Sequence, residues 1–289
     1  MKLKLFSYFL FITGCIIFFL YAHFPGEATA KHIEQTLLRI NPEFKLQINE
    51  VNLAFPPGIT AESIQVSYID NPIAKLDKFK STLNMTTLFG NTVTASFKTN
   101  AFNGVMSGVV RASKVKPRQI DTKIDLNNLK LDDIFLEKFM SGCSISGTVN
   151  GKVTAGLKAG QIKNSFAEVK FENLVLQFSK ALFSIETYSF STGKVKFVMP
   201  DKNIIRIEEF ILKGKQVDIQ SSGEIRVSKE FSKSNLKIKA RFVLYPMFFM
   251  NAGDSMPIAI SKSGSENTII NLSIGGTIQN PVIAKSSGA

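Results

Sequence analysis

Residues 236–242 read Leu-Lys-Ile-Lys-Ala-Arg-Phe, with apolar and basic side chains in strict alternation. Because successive side chains of a β-strand point to opposite faces, this pattern predicts a strand with one apolar and one charged face. The same period of two recurs along most of the chain from Lys45 onward, and residues typical of turns separate the alternating segments. The sequence therefore predicts a mainly β protein.

The number and spacing of these segments indicate the architecture. Roughly a dozen or more of them lie between residues 45 and 284, joined by short turns, which is typical of a long, largely antiparallel sheet. Three arrangements remain open at this point. The sheet can close into a barrel, fold into a two-sheet sandwich, or stay open and curved, with one apolar face forming a groove.

Several local patterns refine this prediction. Apolar residues at helical spacing over 129–140 predict one internal helix, and 245–257 is an irregular stretch rich in Met and Phe. The sequence Phe102-Asn103-Gly104 predicts a hairpin turn. A slip in the alternation at Asn173 predicts a change of register, and Gly147 to Gly151 predicts a turn between two strands.

The N-terminus predicts a membrane segment. The run from Leu5 to Phe24 contains no charged residue, and Lys2 and Lys4 precede it. As a helix this run is about 30 Å long, which matches the hydrocarbon core of a bilayer. The lysines belong on the cytoplasmic side, so the rest of the chain is expected to be exported. We predict a signal anchor or transmembrane helix over residues 1–24, with Leu5 and Phe24 as its ends.

Two other interpretations of this segment stay open. Ala28-Thr29-Ala30 has the small-residue spacing of a signal peptidase site, so the segment can instead be a cleaved signal peptide. Cys15 ends a sequence resembling a lipobox, although the residues after it stay apolar whereas a lipoprotein tether is normally polar. The sequence does not say whether the segment is cleaved.

Short segments precede and follow the predicted β domain. Residues 25–44 predict a membrane-proximal helix, which either lies on the membrane surface or caps the sheet, and we favour the cap. Residues 45–284 form the predicted β domain, and 285–289 a flexible tail.

Composition excludes several classes of function. The chain has 35 Lys and Arg against 23 Asp and Glu, a net charge of +12, which suits anionic lipid or an acidic protein surface. These charges are scattered, so a merely solvated surface is also compatible, and nucleic acid is not an expected partner of an exported chain. With 2 Cys and 2 His, the chain cannot build a disulfide framework and offers little for a metal. Catalytic motifs are missing from the sequence, so we predict no enzyme, no cofactor and no metal site.

The 25 phenylalanines raise the main question about function. Phe171, Phe178, Phe197 and Phe242 fall on the apolar side of predicted strands. In a sandwich these rings fill a core, whereas in an open curved sheet they line a groove for acyl chains. Periodicity alone leaves both alternatives open.

Six segments carry a family resemblance. They are Phe-Pro-Gly-Glu-Ala at 24–28, Ile-Asn-Glu-Val-Asn-Leu-Ala-Phe-Pro-Pro-Gly-Ile at 48–59, Asn-Gly-Val-Met-Ser-Gly at 103–108, Ile-Asp-Leu-Asn-Asn-Leu at 124–129, Gly-Cys-Ser-Ile-Ser-Gly at 142–147 and Leu-Ser-Ile-Gly-Gly-Thr-Ile-Gln-Asn-Pro at 272–281. In this order after one N-terminal apolar segment, they resemble the type II secretion system protein N (GspN) family, within the broader AsmA-like group.

This resemblance implies an inner-membrane anchor, a single pass and a β-rich periplasmic domain. The protein N family implies a non-enzymatic scaffold or docking role with other secretion-system subunits. The AsmA-like group implies instead a β-groove that binds phospholipid acyl chains and transfers lipid toward the outer membrane. The resemblance supplies no catalytic residues.

Overall fold

The structure is a computed structural model, and it describes most of the chain. The described residues are 7–8, 11–12, 14–15, 18–19, 21–40, 42–55, 57–68, 71–115, 119–133, 142–158, 161–182, 185–201, 203–228, 230–252 and 267–285.

In this part of the chain the structure has two named α-helices and fifteen strands. The helices are α1 (Gly26–Ile40) and α2 (Pro246–Ala252). The strands are β1 (Phe44–Ile48), β2 (Val51–Ala54), β3 (Gly58–Tyr68), β4 (Asn71–Leu83), β5 (Thr92–Ala101), β6 (Gly104–Ser113), β7 (Gln119–Lys130), β8 (Cys143–Lys158), β9 (Gln161–Leu182), β10 (Ile185–Asp201), β11 (Ile204–Gly214), β12 (Val217–Arg226), β13 (Asn235–Leu244), β14 (Thr268–Gly276) and β15 (Pro281–Lys285).

All of these strands belong to one antiparallel sheet. From β3 to β15 each strand pairs with the strand that follows it, while β1 and β2 pair side by side with β3. Among the described residues no pairing joins β1 or β2 to β15, so the sheet is open and curved. The prediction of a mainly β, long antiparallel sheet is confirmed, and the barrel and sandwich alternatives are wrong.

Turns and bulges shape the sheet, and the sequence predicts two of them. Phe102 and Asn103 have φ values of 48° and 53° and form the two-residue hairpin between β5 and β6. Asn173 has a φ of 51° inside β9, at the predicted slip. Lys78 and Asn128 adopt similar values beside register shifts in β4 and β7. Such bulges bend strands and increase their twist.

The predicted turn between Gly147 and Gly151 is wrong, because both glycines lie inside β8. Gly147 has a φ of 138°, and the register with β9 shifts between Ser146 and Thr148. A bulge therefore accommodates the glycine while the strand continues past it.

The helix predicted over 129–140 is also wrong in its described part. Leu129 and Lys130 end β7, and Leu131–Asp133 form a short 3-10 turn, while residues 134–141 lie outside the described residues. The stretch predicted as irregular over 245–257 contains α2, and residues 253–257 lie outside the described part.

Helix α1 covers the N-terminal edge of the sheet and packs against β1 and β2. The backbone N–H of Ile48 donates a 2.7 Å hydrogen bond to Oε1 of Glu34 on the helix. A Cβ at Gly26 would lie 2.1 Å from the carbonyl oxygen of Val51, so only glycine allows this close approach. The helix therefore satisfies edge groups that would otherwise lack a strand partner.

Half of the predicted membrane segment 1–24, including Leu5, lies outside the described residues. Phe24 is half-buried, and the described residues from 7 to 22 are helical. Within the part of the chain that the structure covers, no helix combines the length and the apolarity that a membrane span requires. At the other terminus β15 includes Lys285, and residues 286–289 fall outside the described part.

One buried cluster holds the middle of the sheet together. Its buried members are Leu129, Leu131, Val149, Leu174, Ile185, Tyr188, Phe190, Leu212, Val217, Leu244 and Phe248.

The whole chain nevertheless exposes 19160 Å², whereas a compact protein of 31.9 kDa is expected to expose about 12,000 Å². The fold therefore leaves far more surface accessible than a compact globular domain does.

Truncation of Phe190 should test this cluster. Only 2 % of this residue is exposed, so Phe190→Ala should lower the free energy of unfolding by about 3–5 kcal/mol through lost burial and a cavity. Urea unfolding followed by circular dichroism measures this. The same truncation at Phe89, which is 95 % exposed, should cost less than about 0.5 kcal/mol. Equal effects at the two positions would contradict the assigned core.

Candidate functional site

The register of the sheet brings apolar residues into one continuous row. Residues paired directly across antiparallel strands project to the same face, so the pairings trace each face from strand to strand. One row crosses eleven strands, from β5 to β15. We call it the apolar row, and it consists of Phe97, Gly108, Ile124, Val153, Ala167, Phe197, Ile207, Gly223, Ile238, Ile274 and Ile283.

Parallel rows on the same side widen this surface into an apolar face. A second row runs beside the first through β6 to β14, and its members are Met106, Leu126, Gly151, Val169, Val195, Phe210, Ser221, Ala240 and Leu272. A third consists of Leu129, Val149, Phe171, Gly193, Leu212, Ile219, Phe242 and Ile270. Apart from Ser221, these positions carry apolar side chains or glycine.

The four phenylalanines predicted to line a groove are on this face, but in two different settings. Phe171, Phe178 and Phe242 pack against the buried cluster and are half-buried. Phe197 belongs to the apolar row and is half-buried without being part of that cluster. The sheet therefore uses three of the rings partly as its own core, and presents the fourth on the more open part of the face.

Glycines let large side chains on neighbouring strands lie across the sheet. A Cβ at Gly108 would come within 2.6 Å of the Phe97 ring, so that ring covers the glycine. A Cβ at Gly193 would lie 2.6 Å from Leu212 and 3.2 Å from Phe171, which meet above it. Sequence reasoning missed these positions, although glycine inside a strand pattern signals a close approach of this kind.

Helix α2 covers part of the apolar face. Phe248 is buried in the cluster, with its ring centroid 6.5 Å from that of Tyr188 and 5.7 Å from that of Phe249. Tyr188 also makes an edge-to-face contact with Phe178 at 5.9 Å. These contacts anchor the helix over strands β9 and β10. Sequence reasoning missed this helix because its seven residues are too few for a clear period.

The opposite face carries charge. Nζ of Lys194 lies 3.0 Å from Glu209 and 3.6 Å from Glu168, and Lys196 lies 3.6 Å from Glu209. The hydrogen bond to Glu209 raises the pKa of Lys194, and the same bond lowers the pKa of Glu209. About a third of each side chain is exposed, so these pairs add little stability. They mark this face as the solvated one.

The surroundings of two other titratable groups explain the shifts in their pKa values. Cys143 is buried with a free thiol, whose pKa burial raises. The Tyr245 hydroxyl donates a 2.9 Å hydrogen bond to Asp218, and this bond raises the pKa of the tyrosine. No group of three or more potential metal ligands occurs among the described residues.

Comparison of the chain with family models, with curated proteins and with solved structures gave no match. The resemblance to the protein N family and the AsmA-like group therefore rests on the sequence motifs alone. The fold and the apolar face are the observations on which a function can be built.

Titration of Tyr188 should report the integrity of the covered part of the face. Burial raises the pKa of Tyr188 from 10.0 to about 12, because the folded protein disfavours the phenolate. Below pH 10.0 the phenol is protonated in both the folded and the unfolded chain, and its contribution to the free energy of unfolding is fully present. As the pH rises from 10.0 to about 12, the unfolded chain loses this proton first, so that contribution is lost. We expect Tyr188→Phe to flatten the fall in unfolding free energy over that range. Identical slopes for both proteins would contradict burial of this phenol.

Proposed function

We propose that this protein binds lipid, and that the apolar face of its open sheet holds the acyl chains. The observation that carries the proposal is the apolar row, which crosses eleven strands without a charged or polar side chain. Exposed apolar surfaces of such extent are rare on soluble proteins and are associated with binding sites. The proposal assigns no catalytic residue, cofactor or metal to the chain.

The dimensions of the apolar row suit acyl chains. Ten steps between neighbouring strands of about 4.8 Å each give the row a length of roughly 48 Å. One leaflet of a bilayer accounts for only about 15 Å of hydrocarbon thickness. The face therefore has room for more than one acyl chain along its length, and a lipid can move along it without leaving apolar surroundings.

The free energy of burying apolar surface also favours the binding of acyl chains. Most members of the apolar row are half-buried, as expected for one side of a single-layer sheet. Covering such residues with hydrocarbon removes apolar area from water on both partners, and each buried methylene contributes about 0.8 kcal/mol. A bound acyl chain therefore stabilises the sheet as well as being held by it.

Charge favours phospholipid as the ligand class. The chain carries a net charge of +12, and basic side chains such as Lys237, Lys239 and Arg241 alternate with the apolar residues of β13. Although these basic side chains project from the face opposite the apolar row, the net positive charge of the chain gives a potential that attracts anionic head groups. We place this activity at the inner membrane, with residues 1–24 as a single-pass anchor and the sheet in the periplasm, as the resemblance implies.

A second candidate function is a docking subunit of a type II secretion apparatus. The packing of Phe171, Phe178 and Phe242 against the buried cluster favours it, because a docking module is expected to fill its apolar face with its own side chains. Other secretion-system subunits would then be the partners. The two candidates differ in whether the more open part of the face, around Phe197, carries lipid.

The first test is mass spectrometry of the full chain after gentle extraction from its own membrane, with Phe197→Asp as the variant. We expect phospholipid to co-purify with the unaltered chain and to fall at least about tenfold in the variant, because a carboxylate in the row repels hydrocarbon. The free energy of unfolding should change by only about 1 kcal/mol, since a half-buried carboxylate stays hydrated.

A matched control separates the face from the added charge. Ser273→Asp introduces the same group on β14, beside the row residue Ile274 but on the opposite, exposed side. It should leave the bound lipid unchanged. A folded chain without lipid would overturn the lipid proposal and favour the docking function, as would loss of folding by several kcal/mol in Phe197→Asp.

A further inference from the structure

Four exposed apolar residues lie at one end of the strands, in three successive turns. Phe55 follows β2, Met85 and Phe89 are in the 3-10 turn after β4, and Val115 follows β6. Their exposed fractions are 81 %, 45 %, 95 % and 66 % respectively. Because antiparallel strands alternate in direction, these turns all fall at the same end of the sheet. We call these four residues the apolar tips.

Backbone hydrogen bonds fix the turns to one another. The N–H of Leu83, next to the 3-10 turn, donates a 2.8 Å bond to the carbonyl of Pro57 in the first turn. The N–H of Lys114 donates a 2.9 Å bond to the carbonyl of Asn91, and its ammonium group donates to the carbonyl of Leu88. The apolar tips are therefore presented on a connected surface rather than on independent loops.

The N-terminal apolar segment reaches the sheet at this same end. The hydroxyl of Tyr21 donates a 2.8 Å hydrogen bond to the carbonyl of Ala54, the residue before Phe55. From there the chain enters α1, and Gly26 lies against Val51 at the start of β2. The uncharged run from Leu5 to Phe24 thus meets the sheet beside the first apolar tip.

In the later turns at this end of the sheet, the exposed residues that the structure describes are polar. They include Asn203, Ser228, Glu230, Lys233, Gln279 and Asn280. The apolar tips are confined to the turns from β2 to β7, a width of roughly 24 Å at about 4.8 Å per strand. Val282 and Ile283 are also exposed at this end, but they lie in strand β15, so the contrast between apolar and polar residues holds for the turns.

We propose that the apolar tips insert into the interfacial region of the bilayer that holds the N-terminal segment. The proposal rests on the prediction that residues 5–24 lie in a membrane. Amphipathic surfaces bind bilayers by burying apolar side chains about 5–10 Å into the boundary between head groups and acyl chains. Phe55 and Phe89 provide such side chains, and Lys114 beside them provides a cation for anionic head groups. The tips and the segment together would hold the sheet at a fixed tilt.

The chain contains no tryptophan, so single-tryptophan variants report local polarity without background. The full chain carrying Phe89→Trp or Phe55→Trp is reconstituted into vesicles of phosphatidylethanolamine and phosphatidylglycerol. We expect a blue-shifted emission, and quenching by lipids brominated near the glycerol backbone that is at least roughly twofold stronger than for a control, since aromatic rings settle at this depth. The control is Ile269→Trp, at an exposed residue of β14 near the other end of the strands.

A third reporter separates this proposal from the anchor prediction. Phe18→Trp lies within the N-terminal segment and should be quenched by lipids brominated deep in the acyl chains. Quenching at Phe18→Trp, with Phe89→Trp and Phe55→Trp no more quenched than Ile269→Trp, overturns the insertion of the tips and leaves the anchor standing. If Phe18→Trp is also not quenched, the membrane placement of the segment fails together with the proposal.

Discussion

Register is the constraint on which the rest of this structure depends. In a strand the side-chain period is two, so a slip of one residue between neighbours would move every apolar side chain to the opposite face. The apolar face keeps its side of the sheet because local bulges absorb the irregularities. One of them lies between β8 and β9, where Asn173 and Leu174 stand opposite Gly147. Without this bulge, Leu174, Leu176 and Phe178 would project to the face opposite Phe171.

An open sheet has two edges, and the protein treats them differently. At the N-terminal edge α1 lies against β1 and β2, and Glu34 accepts a backbone N–H of Ile48. The C-terminal strand β15 is short, begins with Pro281 and is exposed along its length. Short strands and prolines are devices that discourage pairing with other chains. The apolar face is therefore left available while aggregation through the edges is limited.

Sequence reasoning succeeded where local chemistry determines conformation. Consecutive residues alone determine three features, which are the alternation in β13, the Phe102-Asn103 turn and the slip at Asn173. It failed where tertiary pairing overrides local preference, as at Leu129, which has helical spacing with its neighbours but pairs with Val149. The apolar row also escaped prediction, since no single segment reveals which residues of eleven strands will stand opposite one another. Only the pairing register shows that Phe197 and Ile274 lie in the same row.

The pairing of each strand from β3 onward with its successor has a consequence for how the chain folds. Most of these hairpins can form from residues close in sequence, so little loop-closure entropy is lost at each step. Strands β3 to β6 can pair before β14 and β15 have been synthesised, and each finished hairpin offers a template for the next. Folding can then proceed from the N-terminus during synthesis. Each apolar strand can pair with a neighbour in sequence soon after it is made, which shortens the time that its apolar side chains are exposed.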